Sequence, residues 1–374
     1  MKDQVRLPAA GSDELYVIAG PCSAESQEQV QLIANQLASV PAVRMLRFGI
    51  WKPRTRPNQF EGLGAVALPW VVDAGRSVGL PVAVEVAQTQ HVEAALHAGV
   101  DAVWIGARTT VNPFLVQQIA DALRGSAVAV LVKNPINPDV LLWLGAIERI
   151  EQAGVAEVGA IHRGFSVYEA SPYRYPPRWD LPIEFKRLRP DVPMICDPSH
   201  ICGQRGGLLG ISQKARDLQM DGLMIETHPD PAAALSDAQQ QVDLQQLVAL
   251  LAGLVLRNAH FSDALADAQL DHYRNQIDSI DSDLIRLLAQ RMELIRRIGT
   301  MKQIHQVRIF QPDRWQELVN RSAQLADESG LSSEFIAELM QRIHQQSIAE
   351  QEHILNEEHP SSASIKLLDE NISP

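Results

Sequence analysis

Several stretches of this 374-residue sequence end in side chains that ionise, and those endings could do chemistry. One apolar run stops at Gly20-Pro21 and delivers a thiol, Cys22, followed by small polar residues. A packing cysteine belongs inside such a run. One presented at its tip is placed to react or to bind metal. Later runs end at Arg47, with Lys52 and Arg54 just beyond; at Glu85; at Arg108; at Lys133; at His162 and Arg163; at Asp197 and His200; and at Glu226 and His228. Any one alone reads as a solvated loop residue or a rim ion pair. An ionisable residue at every ending is much harder to explain that way.

The charges sort into two sets. Arg47, Lys52, Arg54, Arg108, Lys133 and Arg163 are cations. Gathered in one mouth they repel, and desolvating them is costly unless an anion neutralises them. Arg gives planar, bidentate recognition of phosphate and carboxylate, and Lys adds a point charge. The set therefore suits a multiply anionic small substrate. Cys22, His200, Glu226 and nearby Asp237 offer a thiolate, an imidazole and two carboxylates. That mixed donor set suits a divalent Mn, Fe, Co or Zn ion better than Mg or Ca. Cys196 and Cys202 read as packing cysteines.

The elements that must position these groups are short and β-branched. Runs start at Leu15, Arg44, Pro81, Asp101, Ala127, Glu157, Val192 and Asp221, with helix-like or loop segments between. Continuous apolar runs without alternation suit parallel strands covered on both faces. Eight β–α units in about 240 residues is the size of a (β/α)8 TIM barrel, whose chemistry sits at the carboxyl ends of the strands. An open doubly wound sheet is the alternative, weakened because no Gly-rich dinucleotide fingerprint follows the first strand.

Bulk properties narrow the partners. The formal net charge of -12 argues against nucleic acid. No run of 18 or more apolar residues exists, so no membrane span is expected. Three cysteines with no C-x-x-C pair fit a reducing compartment, and the start of the chain has no apolar signal core, so a cytoplasmic location is expected. Expected boundaries are an extension at 1–14, the barrel at 15–256, a linker at 257–270, a helical domain at 271–356 and a mobile tail at 357–374. In the helical region an apolar stripe, Ile277, Ile280, Leu284, Leu287, Leu288, Met292 and Ile295, predicts a long helix from near Asp271 to about Ile304. A second helix is predicted from Pro312 to Glu328, and a third from after Ser332 to about Asn356. Three helices, one very long, make a poor monomeric core, so a homodimer through this segment is expected.

The motifs GPCSAES from Gly20, KPRTR from Lys52, GAR ending at Arg108, VLVK ending at Lys133, HRGF from His162, DPSH from Asp197, IETHP from Ile225 and SDAQQ from Ser236 run in order through residues 15–245. Together they resemble the 3-deoxy-D-arabino-heptulosonate 7-phosphate (DAHP) synthases, in the short type I beta branch without the longer insertions. The resemblance implies that Cys22, His200, Glu226 and Asp237 ligate a divalent metal ion. It implies that Arg47, Lys52, Arg108, Lys133 and Arg163 hold phosphoenolpyruvate, and that Arg54 and Thr55 take the phosphate of erythrose 4-phosphate. Lys52, between the two anion sites, is the candidate proton donor; Glu85 and His228 are candidates to orient water. The related 3-deoxy-D-manno-octulosonate 8-phosphate synthases share the barrel but carry a Lys-Ala-Asn-Arg pattern where this chain has Lys52-Pro53-Arg54-Thr55. Arg56 stands where the DAHP synthases usually have a small hydroxyl residue.

The helical region resembles the all-helical (AroQ-type) chorismate mutases through residues 273–302 and QQSIAEQ from Gln345. The resemblance implies catalytic roles for Arg274, Arg291, Lys302 and Gln351 and substrate-binding roles for Arg314 and Ser347, with Arg274 reaching into a partner subunit. Gln311 and Trp315 stand where the family usually places carboxylates that meet the substrate hydroxyl. The expectation is a bifunctional enzyme, with prephenate or chorismate in the helical domain acting back on the barrel. The alternatives are a helical domain that only senses ligand, or an octulosonate-type barrel.

Overall fold

Each of the apolar runs forms a strand: β1 (Tyr16–Gly20), β2 (Val43–Phe48), β3 (Val82–Val86), β4 (Ala102–Ile105), β5 (Ala129–Lys133), β6 (Val158–His162), β7 (Met194–Cys196) and β8 (Gly222–Glu226). They close in sequence order into a parallel barrel, with β1 paired to both β2 and β8. This computed structural model describes residues 5–53, 58, 60–168, 170–257 and 263–356. The chain divides into two units, Met1–Asn258 and Ala259–Pro374.

The strands alternate with period two. Ile18, Met45, Ala83, Leu131, Ile161, Ile195 and Met224 meet inside the barrel with Trp104. Their neighbours Val17, Leu46, Val82, Val130, Ala160, Met194 and Leu223 pack against the helical layer. Two residues further toward the carboxyl ends, the same inward parity reaches Arg47, Glu85, Lys133, Arg163, Asp197 and Glu226. The apolar interior thus becomes a charged mouth by a shift of one inward position on six of the eight strands. At the opposite end Leu7 joins the inner cluster. Its amide donates to Glu157 Oε2 at 3.1 Å, and the Gly11 amide donates to Asp221 Oδ1 at 2.5 Å. The first residues described therefore stopper the barrel. Ser26, Asn112 and Asp139 cap the helices that follow, each side chain accepting from a first-turn amide.

The described residues of the second unit form three helices, Ala264–Ile304, Pro312–Glu328 and Ser333–Asn356. The first begins at Ala264, capped by Asp263, rather than near Asp271. The segment 264–270 is helix-forming but carries little of the apolar stripe, which is why the pattern alone started later. Gly299 brings the first and third helices together: a Cβ there would sit 2.9 Å from Ile354 Cδ1. Arg296 to Glu350, 3.1 Å, and Gln303 to the Ile354 carbonyl, 2.8 Å, bridge the same pair. Among the described residues of this unit, Ala326 is the only buried hydrophobic side chain, while Ser347 and Gln351 are buried polar ones. Among the described residues no helix is long and apolar enough to cross a membrane.

Candidate active site

At the carboxyl end of the barrel three of the cations are buried. Arg47 and Lys133 are 1% and 4% exposed, and Arg163 is 3% exposed. Lys133 Nζ donates to Asp197 Oδ2 at 2.8 Å. Asp197 also receives the His200 amide at 3.1 Å, and His200 Nδ1 lies 2.8 Å from its Oδ2. Burial works against ionising Asp197, but His200 and Lys133 outweigh it and hold the carboxyl well below its usual range. The Arg47 guanidinium lies 4.9 Å over the Trp104 ring and has Nη1 3.2 Å from Glu226 Oε1. Neither Nε nor Nη1 of Arg47, nor Nη1 of Arg163, has a hydrogen-bond partner among the described residues. Buried, unspent guanidinium donors facing one mouth form a site for an anion. Arg108 is exposed on a short helix, Ala107–Thr110, and its charge acts on Arg163.

The donor set stands beside these cations. Cys22, Glu226 and Asp237 each bring a ligand atom within 4.8 Å of the others. The Cys22 thiol donates to Asp237 Oδ2 at 3.3 Å. His200 Nε2 lies 3.8 Å from Glu226 Oε1, which is buried, lies 3.2 Å from Arg47 Nη1 and makes no hydrogen bond among the described residues. Burial, with some help from Lys133, lowers the His200 pKa despite Asp197, so the imidazole is neutral. A neutral imidazole oriented by a carboxylate is the form in which His ligates. Cys22, Glu226 and Asp237 therefore fit a divalent metal ion in type and placement, and His200 stands beside them next to Glu226 without joining that cluster. Burial, reinforced by Glu226, pushes the Cys22 thiol up to about 12 without such an ion. Lys52 Nζ donates to the Cys22 carbonyl at 2.8 Å and to Sγ at 3.0 Å. Burial alone would lower the Lys52 pKa, but Cys22, Glu226 and Glu85 raise it, so the ammonium stays charged.

Glu85 fills the space left by Gly106, where a Cβ would overlap its carboxylate. His228 turns to other partners: Nδ1 accepts from the Asp230 amide at 3.0 Å and Nε2 lies 3.6 Å from Glu25. Arg54 and Thr55, with Arg56, lie outside the described residues.

Sequence reasoning missed the residues that hold the carboxylates. Gln240 donates to Glu226 Oε2 at 2.6 Å and accepts from Arg174 Nη1 at 2.9 Å. The same Arg174 nitrogen bonds Asp237 Oδ1 at 3.1 Å. Tyr175 lies under Arg163, 3.5 Å from ring centroid to guanidinium carbon. Gln240 was visible inside the SDAQQ motif, but Arg174 and Tyr175 sit in a long loop with no periodicity. Trp104 could have been found from the inward parity of β4.

In the helical unit Arg291 Nη1 donates to Ser347 Oγ at 2.6 Å, and Gln351 Nε2 donates to the Ser347 carbonyl at 3.0 Å. Lys302 Nζ donates to the Ile309 carbonyl at 2.6 Å, and burial lowers its pKa. Arg274 and Arg314 are exposed, paired with Asp271 at 3.2 Å and Glu317 at 2.6 Å. The chain thus brings Arg291, Ser347 and Gln351 together and leaves Arg274 and Arg314 on the surface.

Residues 4–256 match the DAHP synthetase I family, and residues 273–352 match chorismate mutase type II. A phospho-2-dehydro-3-deoxyheptonate aldolase of Thermotoga maritima is 30% identical over 256 residues, covering 68% of this chain and 72% of its own. A 2-dehydro-3-deoxyphosphooctonate aldolase of a Bradyrhizobium species is 30% identical over 277 residues, covering 68% and 91%. The T-protein of Haemophilus influenzae is 33% identical over 89 residues, covering 24% and 22%. The crystal structure of the Thermotoga maritima DAHP synthase superposes with a TM-score of 0.58 at 28% identity, covering 64% of this chain and 67% of that one. With the charged mouth at the strand ends, the match across the barrel and the separate match behind it, the chain belongs to the DAHP synthetase I family and carries a chorismate mutase type II domain.

Proposed function

We propose that the barrel condenses phosphoenolpyruvate, erythrose 4-phosphate and water to DAHP and phosphate, and that the helical unit rearranges chorismate to prephenate. The observation that carries the first reading is the buried trio Arg47, Lys133 and Arg163, in which Arg47 Nε and Arg163 Nη1 make no hydrogen bond among the described residues. These cations hold the phosphate and carboxylate of phosphoenolpyruvate, which supplies proximity and charge neutralisation. Its enol carbon attacks the aldehyde, water adds at C2 of the resulting cation, and phosphate leaves. Lys52, kept protonated, gives a proton to the aldehyde oxygen as that oxygen becomes a hydroxyl. A divalent ion held by Cys22, His200, Glu226 and Asp237 supplies Lewis acidity when bound. Phosphoenolpyruvate consumption with erythrose 4-phosphate tests this. Turnover with arabinose 5-phosphate in its place would favour the octulosonate reading.

Chorismate rearrangement needs no covalent intermediate, only a site that folds the substrate and stabilises charge at the breaking ether. Arg291 and Lys302 supply charge, and Gln351 a buried amide. Arg274 lies 17 residues before Arg291 on one helix, about 25 Å along its axis. It cannot share that pocket within one chain, which supports a homodimer in which it serves the partner. Exposed Ile277, Ile280, Leu284 and Leu287 on the same helix supply an apolar surface for it. Prephenate or chorismate bound there then acts back on the barrel rate. The sensor reading draws on Trp315, which cannot accept a hydrogen bond from a hydroxyl. Loss of chorismate, abolished by Arg291→Ala, decides between them.

A further inference from the structure

We infer that His344 reads the ring hydroxyl of the ligand in the helical unit. This rests on the chorismate reading above. Gln311 and Trp315 replace the carboxylates expected to meet that hydroxyl. Gln311 is exposed and its side chain caps nothing. Trp315 instead lies stacked on His344, ring centroids 4.1 Å apart and planes at 18°. Phe310 is 6.1 Å from the same imidazole.

His344, Ser347 and Gln351 share one face of the third helix, being three and seven residues apart. Arg291, which donates to Ser347, also acts on His344: burial first, then the Arg291 charge, lowers the imidazole pKa. The ring is neutral, with one nitrogen able to accept and one to donate. Its Nε2 is buried with no hydrogen-bond partner among the described residues, and so is Gln351 Oε1. A buried polar nitrogen left empty is unfavourable, and a ligand group that fills it is selected. A secondary hydroxyl, both donor and acceptor, fits a neutral imidazole in either tautomer. The indole fixes the ring plane by stacking, so the carboxylate-to-tryptophan change and the histidine form one device. The ligand class is a cyclic dicarboxylate bearing a ring hydroxyl, held by Arg291 and selected by His344.

The test uses the full-length chain and two variants. His344→Phe keeps the stack on Trp315 and removes both nitrogens; His344→Gln returns a donor and an acceptor. Chorismate and its analogue lacking the ring hydroxyl are compared by kcat/KM, or by calorimetric Kd if chorismate binds without turning over. The wild type is expected to prefer chorismate by about tenfold or more. His344→Phe is expected to weaken chorismate about tenfold while leaving the deoxy analogue within about twofold, with partial recovery in His344→Gln. Equal loss on both ligands, or an undiminished preference, overturns the inference and leaves His344 a packing residue. If the folded wild type neither binds nor converts chorismate, the reading of the helical unit fails first, and this inference fails with it.

Discussion

Replacing Gln240 by Met removes one amide that is assigned no substrate contact and should still weaken metal binding. Gln240 and Glu226 are 1% and 0% exposed, and the amide donates to Glu226 Oε2 at 2.6 Å. Its own oxygen is fixed by Arg174, which also holds Asp237. Gln240→Met keeps the volume and deletes the donor. A hydrogen bond to a charged group is worth about 1.5–3 kcal/mol, and full burial leaves little solvent to replace it. Losing an outer partner of a ligand typically costs about 10- to 100-fold in affinity, or roughly 1.4–2.7 kcal/mol. The ranges overlap, so a 10- to 100-fold rise in metal Kd is expected. Competition between the apo-protein and a fluorescent chelator for Mn or Zn measures it. Circular dichroism checks that the barrel remains folded. A folded variant whose metal Kd stays within about threefold of wild type would refute the reasoning, because Glu226 would then need no such orientation.

Two further predictions concern stability and assembly. His162 is fully buried between Phe165 and Trp179, with its pKa pushed down to about 3, first by burial and then by Arg163. The unfolded chain therefore binds a proton that the folded chain refuses. This contribution is fully favourable above the ordinary value and is lost as pH falls, by about 2 kcal/mol at about pH 5. Denaturant titrations across that window should show a shallower acid slope in His162→Phe, and equal slopes would contradict it. Ile280→Glu with Leu287→Glu, both on the exposed stripe, should shift the chain to monomer in sedimentation and lower chorismate turnover at least tenfold; an unchanged dimer would show that another surface joins the copies.

The barrel was legible because parallel strands buried on both faces leave continuous apolar runs, as at Val130-Leu131-Val132. The charged mouth was legible for a related reason: the residue two beyond the last inward apolar side chain is charged on most strands, as at Met45 to Arg47 and Met224 to Glu226. What escaped lies where no period operates. Arg174 and Tyr175 come from a loop, and the link from Arg174 through Gln240 to Glu226 exists only once β6 and β8 are brought round the barrel. His228, read from the sequence as a candidate to orient water, accepts from the Asp230 amide and lies beside Glu25 instead. In the helical unit the stripe announced a helix but not its start at Ala264, since that early segment lacks the apolar pattern. Nor could spacing show that Trp315 and His344 stack, because they lie on different helices.

Two separate sites, one per unit, are proposed to carry the two reactions. The most direct measurement assays purified full-length chain, Glu226→Ala and Arg291→Ala for both reactions: phosphoenolpyruvate consumption with erythrose 4-phosphate, and chorismate loss. Glu226→Ala is expected to abolish the first and keep the second, while Arg291→Ala keeps the basal rate of the first and abolishes the second. A wild-type chain that consumes phosphoenolpyruvate only with arabinose 5-phosphate, or a chorismate activity that survives Arg291→Ala, would contradict it.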